Sequence, residues 1–458
     1  MHCVSTTPNF PASASRAISG SQDAIPGLTR AATPSTDPRR QQERIASGDT
    51  FARCFLLALF KQLTCWCPVR DTELVHSFNH LGGYLWLNQR PRKWVSEDTA
   101  TVSMVCFHKQ LPGYAVTPFH ELGEAPRRVG ASRIFIKDES NRFGLPAFKI
   151  LGASYGVYRA ACERLGVDAE WDTLARLLAQ REPAQRMRLL TATAGNHGRA
   201  VARVGRWLGL DSVVALPAET STATVDAIVA EGAEVRLVNS SYDAAVEMVR
   251  QLANKDQRFV LVQDTAWSGY EQVPQWIVEG YATLFDEIDG QIAAAVPKSC
   301  YIVAVPVGVG SLLSAAIRHY RTPGRIGRTR VLCVEAETAA CVLASVRAGE
   351  PVSVPTSTTF MQAINAGTMS ATAWPLVREG LDAAVAVSDA QAMAAHKLLN
   401  ESGVTAGPAG AAALAGAMHT LLGGEGENVC ATLGLPGTSD VVVVSTDGEL
   451  TDSGGGSA

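Results

Sequence analysis

Charged residues are scarce in this chain: they make up 18% of its 458 residues, against roughly 25% in typical soluble proteins. The two signs nearly balance, with 40 Lys and Arg against 44 Asp and Glu. Without an excess of positive charge, nothing draws the chain to a phosphate backbone or to anionic lipid. We therefore expect no nucleic-acid partner.

Paired cysteine motifs and long apolar runs are also missing. Ten cysteines are scattered along the chain, and only Cys65 and Cys67 lie close together, without a CxxC spacing. This pattern predicts reduced thiols, no metal site and a cytoplasmic protein. The apolar run from Phe55 to Phe60 is far shorter than the ~20 residues that span a bilayer, so we expect no membrane partner.

Residues 1–90 differ in composition from the rest of the chain. Ser, Thr, Pro and Arg dominate to about residue 50, and an apolar stretch with Cys and Trp follows. Segments of this composition bury little apolar surface. We predict that residues 1–90 form a variable, largely disordered N-terminal extension.

Short apolar runs and helix-period stretches alternate along the rest of the chain. The predicted strands lie at 133–137, 188–192, 212–216, 234–238, 259–263, 301–307, 331–335, 383–387 and 441–445. Predicted helices lie at 200–208, 242–253, 311–320, 389–400 and 409–422. Strands joined by such helices form parallel sheets that are covered on both faces. We predict an α/β protein with two doubly wound domains.

Ligands of doubly wound proteins bind at the carboxyl ends of strands, where one loop here is rich in glycine. The loop Gly308-Val309-Gly310-Ser311-Leu312 follows a predicted strand and leads into a predicted helix. Its backbone N–H groups and the helix N-terminus could bind a phosphate, although a simple tight turn explains the glycines equally well. The loop contains neither GxGxxG nor a Walker motif.

A second loop, Thr193-Ala194-Gly195-Asn196-His197-Gly198, also joins a predicted strand to a predicted helix. The Asn196 amide offers both a donor and an acceptor to a ligand. Taken alone, Asn196 is explained as well by a helix cap.

Two further loops carry a lysine and two hydroxyls. Lys149 lies between Phe148 and Ile150, and an apolar environment lowers the pKa of a lysine, which makes its amine nucleophilic. A surface lysine is the ordinary alternative. Ser445 and Thr446 follow the last predicted strand. Together, a lysine nucleophile, a phosphate loop, an amide and a hydroxyl are what pyridoxal phosphate requires.

The same segments resemble the diaminopropionate ammonia-lyase family, which has the tryptophan-synthase-β-like fold (fold type II) of pyridoxal-phosphate enzymes. The resemblance spans roughly residues 92–452. It also includes, in the family's order, 263–270, 279–282, 362–367, 373–375, 383–389 and 403–408. It implies a large cofactor domain from 91–158 and 270–458, and a smaller α/β domain from 159–269.

The resemblance also implies roles for individual residues. Lys149 bonds the cofactor aldehyde and acts in catalysis together with Asp264. Asn196 binds the ring hydroxyl, Gly308 to Leu312 bind the phosphate, and Ser445 or Thr446 binds the pyridine nitrogen. The substrate pocket is implied to contain Thr193, Ala194, Gly195, His197, Tyr242 and Asp264. A homodimer is implied as well.

One position departs from the family pattern. The family has an aspartate where this chain has Ala194, and Ala-Gly-Asn-His is closer to the serine and threonine dehydratases of the same superfamily. The predicted reaction is elimination of 2,3-diaminopropionate to pyruvate and ammonia. The alternatives are an L-serine or L-threonine dehydratase and a catalytically silent homologue that acts as a scaffold.

Overall fold

A computed structural model describes residues 84–88, 104–123, 131–181, 186–193, 195–239, 242–296, 300–323, 329–422, 426–435 and 439–448. These residues all belong to one compact unit. Residues 1–83 of the predicted extension and Ala194 lie outside the described residues. No helix in the described part of the chain is long and apolar enough to cross a membrane.

The strands and helices alternate along most of the described chain. The strands are β1 (Leu85–Leu87), β2 (Phe119–Glu121), β3 (Ala131–Asp138), β4 (Arg188–Ala192), β5 (Asp211–Pro217), β6 (Glu234–Val238), β7 (Phe259–Leu261), β8 (Tyr301–Pro306), β9 (Thr329–Ala336), β10 (Ala383–Val387) and β11 (Ser439–Ser445).

The helices are α1 (Met104–His108), α2 (Lys149–Leu165), α3 (Trp171–Ala179), α4 (Asn196–Leu208), α5 (Thr222–Ala230), α6 (Tyr242–Lys255), α7 (Gln272–Gly280), α8 (Ala282–Ala295), α9 (Ser311–Tyr320), α10 (Cys341–Ala348), α11 (Ala373–Gly380), α12 (Asp389–Glu401), α13 (Pro408–Leu422) and α14 (Gly426–Thr432). Short 3₁₀ turns lie at Glu337–Ala339 and Gln362–Ile364.

The strands form two sheets, as the sequence predicts. The larger has seven strands in the order β1-β10-β9-β8-β11-β3-β2, and the smaller has four in the order β6-β5-β4-β7. All pairs are parallel except those of the edge strands β1 and β2. Strands β8 to β11 are buried at every residue. Burial on both faces explains why these strands are rich in apolar residues.

The smaller sheet uses residues between 188 and 261, which fall in the range 159–269 that the sequence assigns to the smaller domain. We retain the two domain boundaries as a proposal.

Strand β1 lies inside the predicted extension of residues 1–90. It pairs with β10 from Leu85 to Leu87, and the buried Asn88 amide donates to the carbonyl of Leu381 at 2.8 Å. The composition of the segment did not indicate this strand, because a three-residue edge strand has too short a pattern to recognise. We therefore propose that the extension ends before residue 84.

Two predicted elements at the site, β7 and α4, have different ends in the structure. Strand β7 ends at Leu261, so Gln263 and Asp264 lie in the following loop. Helix α4 begins at Asn196 rather than at Ala200, and α2 begins at Lys149. The N-terminus of α4 is therefore closer to its candidate ligand loop than the periodicity indicated.

Candidate active site

Lys149 and Asp264 form the ion pair at the centre of the site. Lys149 is the first residue of α2, Asp264 follows β7, and Nζ lies 2.7 Å from Oδ2. The two side chains are 22% and 9% exposed. Burial raises the pKa of the Asp264 carboxyl, but the charge of Lys149 outweighs it and holds the pKa at about 2. Asp264 is therefore an anion at any ordinary pH.

His197 lies behind this pair. Its Nε2 is 2.8 Å from the carbonyl oxygen of Val262, and because a carbonyl only accepts, Nε2 carries the hydrogen. Nδ1 then has a free lone pair; it lies 3.9 Å from Asp264 Oδ2 and has no hydrogen-bond partner among the described residues. Burial lowers the pKa of His197, which keeps the imidazole neutral.

The loop that leads into α4 ends at Asn196, whose side-chain amide is predicted to bind the cofactor. The Gly195 backbone N–H donates to Thr193 Oγ1 at 3.0 Å. Gly195 has a φ of 152°, and Asn196 begins the helix directly after it. Ala194, between Thr193 and Gly195, lies outside the described residues. Tyr242 begins α6, and its position in the pocket stays a prediction.

The predicted phosphate loop lies between β8 and α9. Gly310 has a φ of 92°, which favours glycine, and it precedes the first residue of α9, Ser311. A Cβ at Gly308 would lie 3.3 Å from the Cα of Ile364. The Ser311 hydroxyl donates to the Asp264 carbonyl at 2.6 Å, so this loop is attached directly to the loop of Asp264.

Ser370 strengthens that attachment, and the sequence analysis missed it. Its N–H donates to the Val309 carbonyl at 2.8 Å, and its hydroxyl accepts from the Ala266 N–H at 2.9 Å. Ser370 follows the segment 362–367, but no motif marks the residue itself. Only the tertiary structure reveals its role.

The predicted hydroxyls at the end of β11 differ in their partners. Ser445 is fully buried, and its Oγ has no hydrogen-bond partner within the described chain. Thr446 Oγ1 lies 3.5 Å from Asp447 Oδ1. Burial raises the pKa of Asp447 to about 6, and its Oδ1 accepts from the Gly410 N–H at 2.7 Å. Ser445 is thus the hydroxyl that is left for a ligand.

A buried charge cluster that the sequence analysis did not predict lies in the segment before Lys149. Arg142 donates to Glu139 Oε1 at 2.6 Å and to Glu287 Oε2 at 2.8 Å, and Lys137 Nζ lies 2.7 Å from Glu287 Oε2. Because two cations face two carboxylates, the cluster is neutral overall, as burial requires. It fixes the segment that precedes Lys149.

The comparison with protein families decides which group of enzymes this geometry belongs to. The family described as "Pyridoxal-phosphate dependent enzyme" matches residues 111–446, which include Lys149 and the phosphate loop. The chain belongs to this family. Its fold is the tryptophan-synthase-β-like fold type II, its cofactor is pyridoxal phosphate, and its reaction is an elimination.

Diaminopropionate ammonia-lyases are relatives of this pyridoxal-phosphate enzyme. The one from Salmonella typhimurium is 32% identical over 358 residues, which are 76% of this chain and 88% of the relative. A crystal structure of diaminopropionate ammonia lyase from Escherichia coli, in complex with D-serine, has a TM-score of 0.70 and 27% identity, and covers 80% of this chain and 95% of that chain.

A threonine dehydratase is a more distant relative of the enzyme. The biosynthetic L-threonine dehydratase of Salmonella typhimurium is 31% identical over 247 residues, 51% of this chain and 44% of the relative. The match to the ammonia-lyase therefore covers far more of both chains.

The site of the enzyme fits its cofactor. Ser445 Oγ is a buried polar atom without a partner in the described residues, which is what a residue awaiting a ligand atom shows. At Gly310 a positive φ and a distance of 3.1 Å from a Cβ to Ala373 favour glycine, so no side chain at this position keeps a phosphate from the backbone. The Lys149 side chain is shielded from most of the solvent, and 22% of it is still exposed.

Proposed function

We propose that the enzyme converts 2,3-diaminopropionate and water to pyruvate and two molecules of ammonia by α,β-elimination. The observation that carries this proposal is the Asp264 carboxylate, 2.7 Å from Lys149 Nζ with a pKa of about 2. The site thus holds a negative charge beside its nucleophile.

That charge favours a substrate with a cationic leaving group. The β-amino group of 2,3-diaminopropionate is a cation when protonated, and it departs as neutral ammonia only from that form. Asp264 can pair with the cation through a charge-assisted hydrogen bond, which is roughly twice as strong as one between neutral groups. The neutral hydroxyl of serine gains less from the same carboxylate, so Asp264 selects between the two substrates.

The chain's own residues divide the remaining tasks. Gly308 to Leu312 hold the cofactor phosphate, Asn196 the ring hydroxyl and Ser445, rather than Thr446, the ring nitrogen. Bound pyridoxal phosphate supplies a ring that takes up the electron pair left when a substrate C–H bond breaks. Lys149 removes the Cα proton of an L-amino acid. Thr193 and Gly195 bind the substrate carboxylate beside the N-terminus of α4.

Asp264→Asn tests the role of the charge. The variant keeps the size of the side chain and removes the anion, so we expect kcat/KM for L-2,3-diaminopropionate to fall about 10²-fold or more, as when a positioned acid or base is lost. The kcat/KM for L-serine should fall much less. Release of ammonia and 2-oxo acid measures both. An equal loss for the two substrates would show that Asp264 does not choose the substrate.

A hydroxyamino-acid dehydratase is the second candidate, and Ala194 favours it. Ala194 stands where the ammonia-lyase pattern has an aspartate, and the dehydratase relative is 31% identical over its aligned part. If unmodified enzyme turns over L-serine or L-threonine with a higher kcat/KM than diaminopropionate, the dehydratase assignment replaces ours.

We also propose a homodimer, supported by the resemblance to the ammonia-lyases, and a cytoplasmic location, supported by scattered cysteines without paired motifs. Light scattering of the purified enzyme at several concentrations tests the dimer. A mass equal to one chain throughout would remove it.

A further inference from the structure

Phe143 has a backbone conformation that a bulky residue rarely adopts. Its φ is 56°, and that of the following Gly144 is 73°. Arg142 and Leu145 exchange backbone hydrogen bonds of 2.9 and 3.0 Å across these two residues. Positive φ at both central positions is the signature of a type I′ turn, in which Asn, Asp or Gly normally occupies the first position. A phenylalanine there is strained.

Contacts from another part of the chain hold Phe143 in this strained turn. Arg203 Nη1, from the middle of α4, donates to the Phe143 carbonyl at 2.9 Å. The ring of Phe143 packs against Trp207, also of α4, with ring centres 5.8 Å apart. A neighbouring carboxylate fixes the guanidinium: Glu231, with a 4% exposed side chain, accepts from Arg203 Nε at 2.5 Å and from Nη2 at 2.7 Å.

The turn leads directly to Lys149. Between the two, the Phe148 N–H donates to the Thr446 carbonyl at 3.3 Å, and the Gly448 N–H donates to the Pro146 carbonyl at 3.0 Å. These bonds set the position of Lys149 against the Ser445 end of β11. Helix α4, which carries Arg203, begins at Asn196. The Arg203 guanidinium therefore connects the helix that begins with Asn196 to the segment that leads to Lys149.

We propose that Arg203 is a positioning residue for Lys149, acting by holding the strained Phe143 turn against α4. The strained turn and Arg203 together fix the distance between Lys149 and Asn196. These are the residues of the two segments that we assign to cofactor binding. Arg203 itself touches neither the cofactor nor the substrate. The inference concerns how the cofactor is held, and it is independent of which amino acid the enzyme consumes.

Arg203→Gln tests the proposal, with Arg206→Gln as a matched control. Arg206 also pairs with Glu231, at 3.1 Å, but it is 51% exposed, and its hydrogen bond to a backbone carbonyl goes to Ala230 rather than to the turn. In cofactor-free protein we expect Arg203→Gln to accelerate hydrogen exchange of the peptide 142–149 about tenfold or more, since a bond to a charged donor is lost. The Kd for pyridoxal phosphate should rise by a similar factor. Arg206→Gln should change both by less than about threefold.

A rescue experiment separates strain from general damage. Phe143→Gly and Phe143→Ala both remove the ring, but only glycine adopts a positive φ without strain. We expect Arg203→Gln to raise the Kd much less in the Phe143→Gly background than in the Phe143→Ala background. An equal rise in both backgrounds, or equal effects of Arg203→Gln and Arg206→Gln, would overturn the proposal. If Arg203→Gln does not fold, Arg203→Lys keeps the charge beside Glu231. It should still raise the Kd more than Arg206→Gln does, and more in the Phe143→Ala background than in the Phe143→Gly background.

Discussion

Asp264 depends on Lys149 for its negative charge. The carboxylate is buried, and the charge of Lys149, 2.7 Å away, is the main effect that holds its pKa at about 2. A buried charge without its partner is strongly unfavourable. Loss of Lys149 therefore alters the protonation of Asp264, and substitutions at either residue have to be interpreted as changes to the ion pair.

Replacing Lys149 by alanine should abolish the visible absorption that bound pyridoxal phosphate gives, because Lys149 is the lysine at the start of α2 that we assign to the cofactor aldehyde. We expect kcat to fall at least about 10²-fold, the usual result of losing a positioned base. Spectroscopy and peptide mapping after borohydride reduction check both points. Modification of a different lysine in the unmodified protein would contradict the assignment.

The substitution Ala194→Asp restores the carboxylate of the family pattern. The Cα protons of the D- and L-isomers point to opposite faces of the cofactor ring, so one lysine cannot easily remove both. A methyl group cannot accept a proton. We expect unmodified enzyme to prefer L-2,3-diaminopropionate, and Ala194→Asp to raise kcat/KM for the D-isomer more than for the L-isomer, by up to about 10²-fold.

Kinetics with the separate isomers measure this preference. Asp264 could act as the base for the D-isomer if it approaches the opposite ring face, and the double variant Ala194→Asp with Asp264→Asn distinguishes the two carboxylates. Equal kcat/KM for both isomers in the unmodified enzyme would show that position 194 does not decide the stereochemistry.

At the scale of elements, α2 and α7 pack through glycines directly behind Lys149. A Cβ at Gly152 would lie 2.5 Å from a ring carbon of Tyr281, and a Cβ at Gly280 would lie 2.5 Å from the Leu151 carbonyl oxygen. Tyr281 in turn contacts Phe148, with ring centres 4.8 Å apart. The helix that begins with Lys149 is thus held by contacts that any larger residue would disturb.

Gly152→Ala should therefore destabilise the protein although alanine is the better helix former. Overpacking costs typically 1–3 kcal/mol, which exceeds the gain of roughly 1 kcal/mol from helix propensity. Gly290→Ala in α8 is the control, because nothing lies within 4 Å of its Cβ. Urea unfolding should show Gly152→Ala less stable and Gly290→Ala at least as stable as the unmodified protein.

The sequence predicted elements well where burial dictates their composition. The bounds predicted for β4 and β10 agree with the structure, because central parallel strands with two covered faces are continuous apolar runs. The bounds predicted for β6, at the edge of the smaller sheet, and for α9 agree as well. Helices α7 and α8 and the edge strands β1 and β2 were not predicted. Their patterns are short, and tertiary contacts rather than periodicity define them.

For the site, sequence motifs indicated which residues matter but not how they meet. Lys149 and Asp264 are separated by 115 positions, and only the tertiary fold brings the start of α2 to the loop after β7. Phe143 and Arg203 carry no motif either. Their importance follows from a backbone angle and one hydrogen bond, neither of which composition or spacing encodes.

At the scale of the whole molecule, buried carboxyl groups fall into two classes with opposite effects on stability. Ion pairs with Arg142 and Lys137 outweigh burial at Glu287 and hold its pKa at about 2. Its contribution is present above the unfolded pKa and is lost as the pH falls toward 2. Glu335 behaves in the opposite way, because burial raises its pKa to about 7 despite hydrogen bonds from the backbone.

Glu335 should therefore make the protein less stable as the pH rises. Its pKa is 4.5 in the unfolded chain and about 7 in the folded protein. Its contribution to the free energy of unfolding is therefore full below pH 4.5 and is lost as the pH rises through 7, amounting to about 3 kcal/mol.

The variant Glu335→Gln tests this pH dependence, because its amide does not ionise. The carboxyl oxygens of Glu335 accept hydrogen bonds from the N–H groups of Val342 and Leu343, at 2.7 and 2.8 Å, and the variant loses one of these two bonds. We thus expect Glu335→Gln to be destabilising at pH 4.5 and progressively less so up to pH 8. Urea unfolding of both proteins across this pH range gives the difference between their free energies of unfolding. A difference that stays constant with pH would show that Glu335 is already ionised in the folded protein.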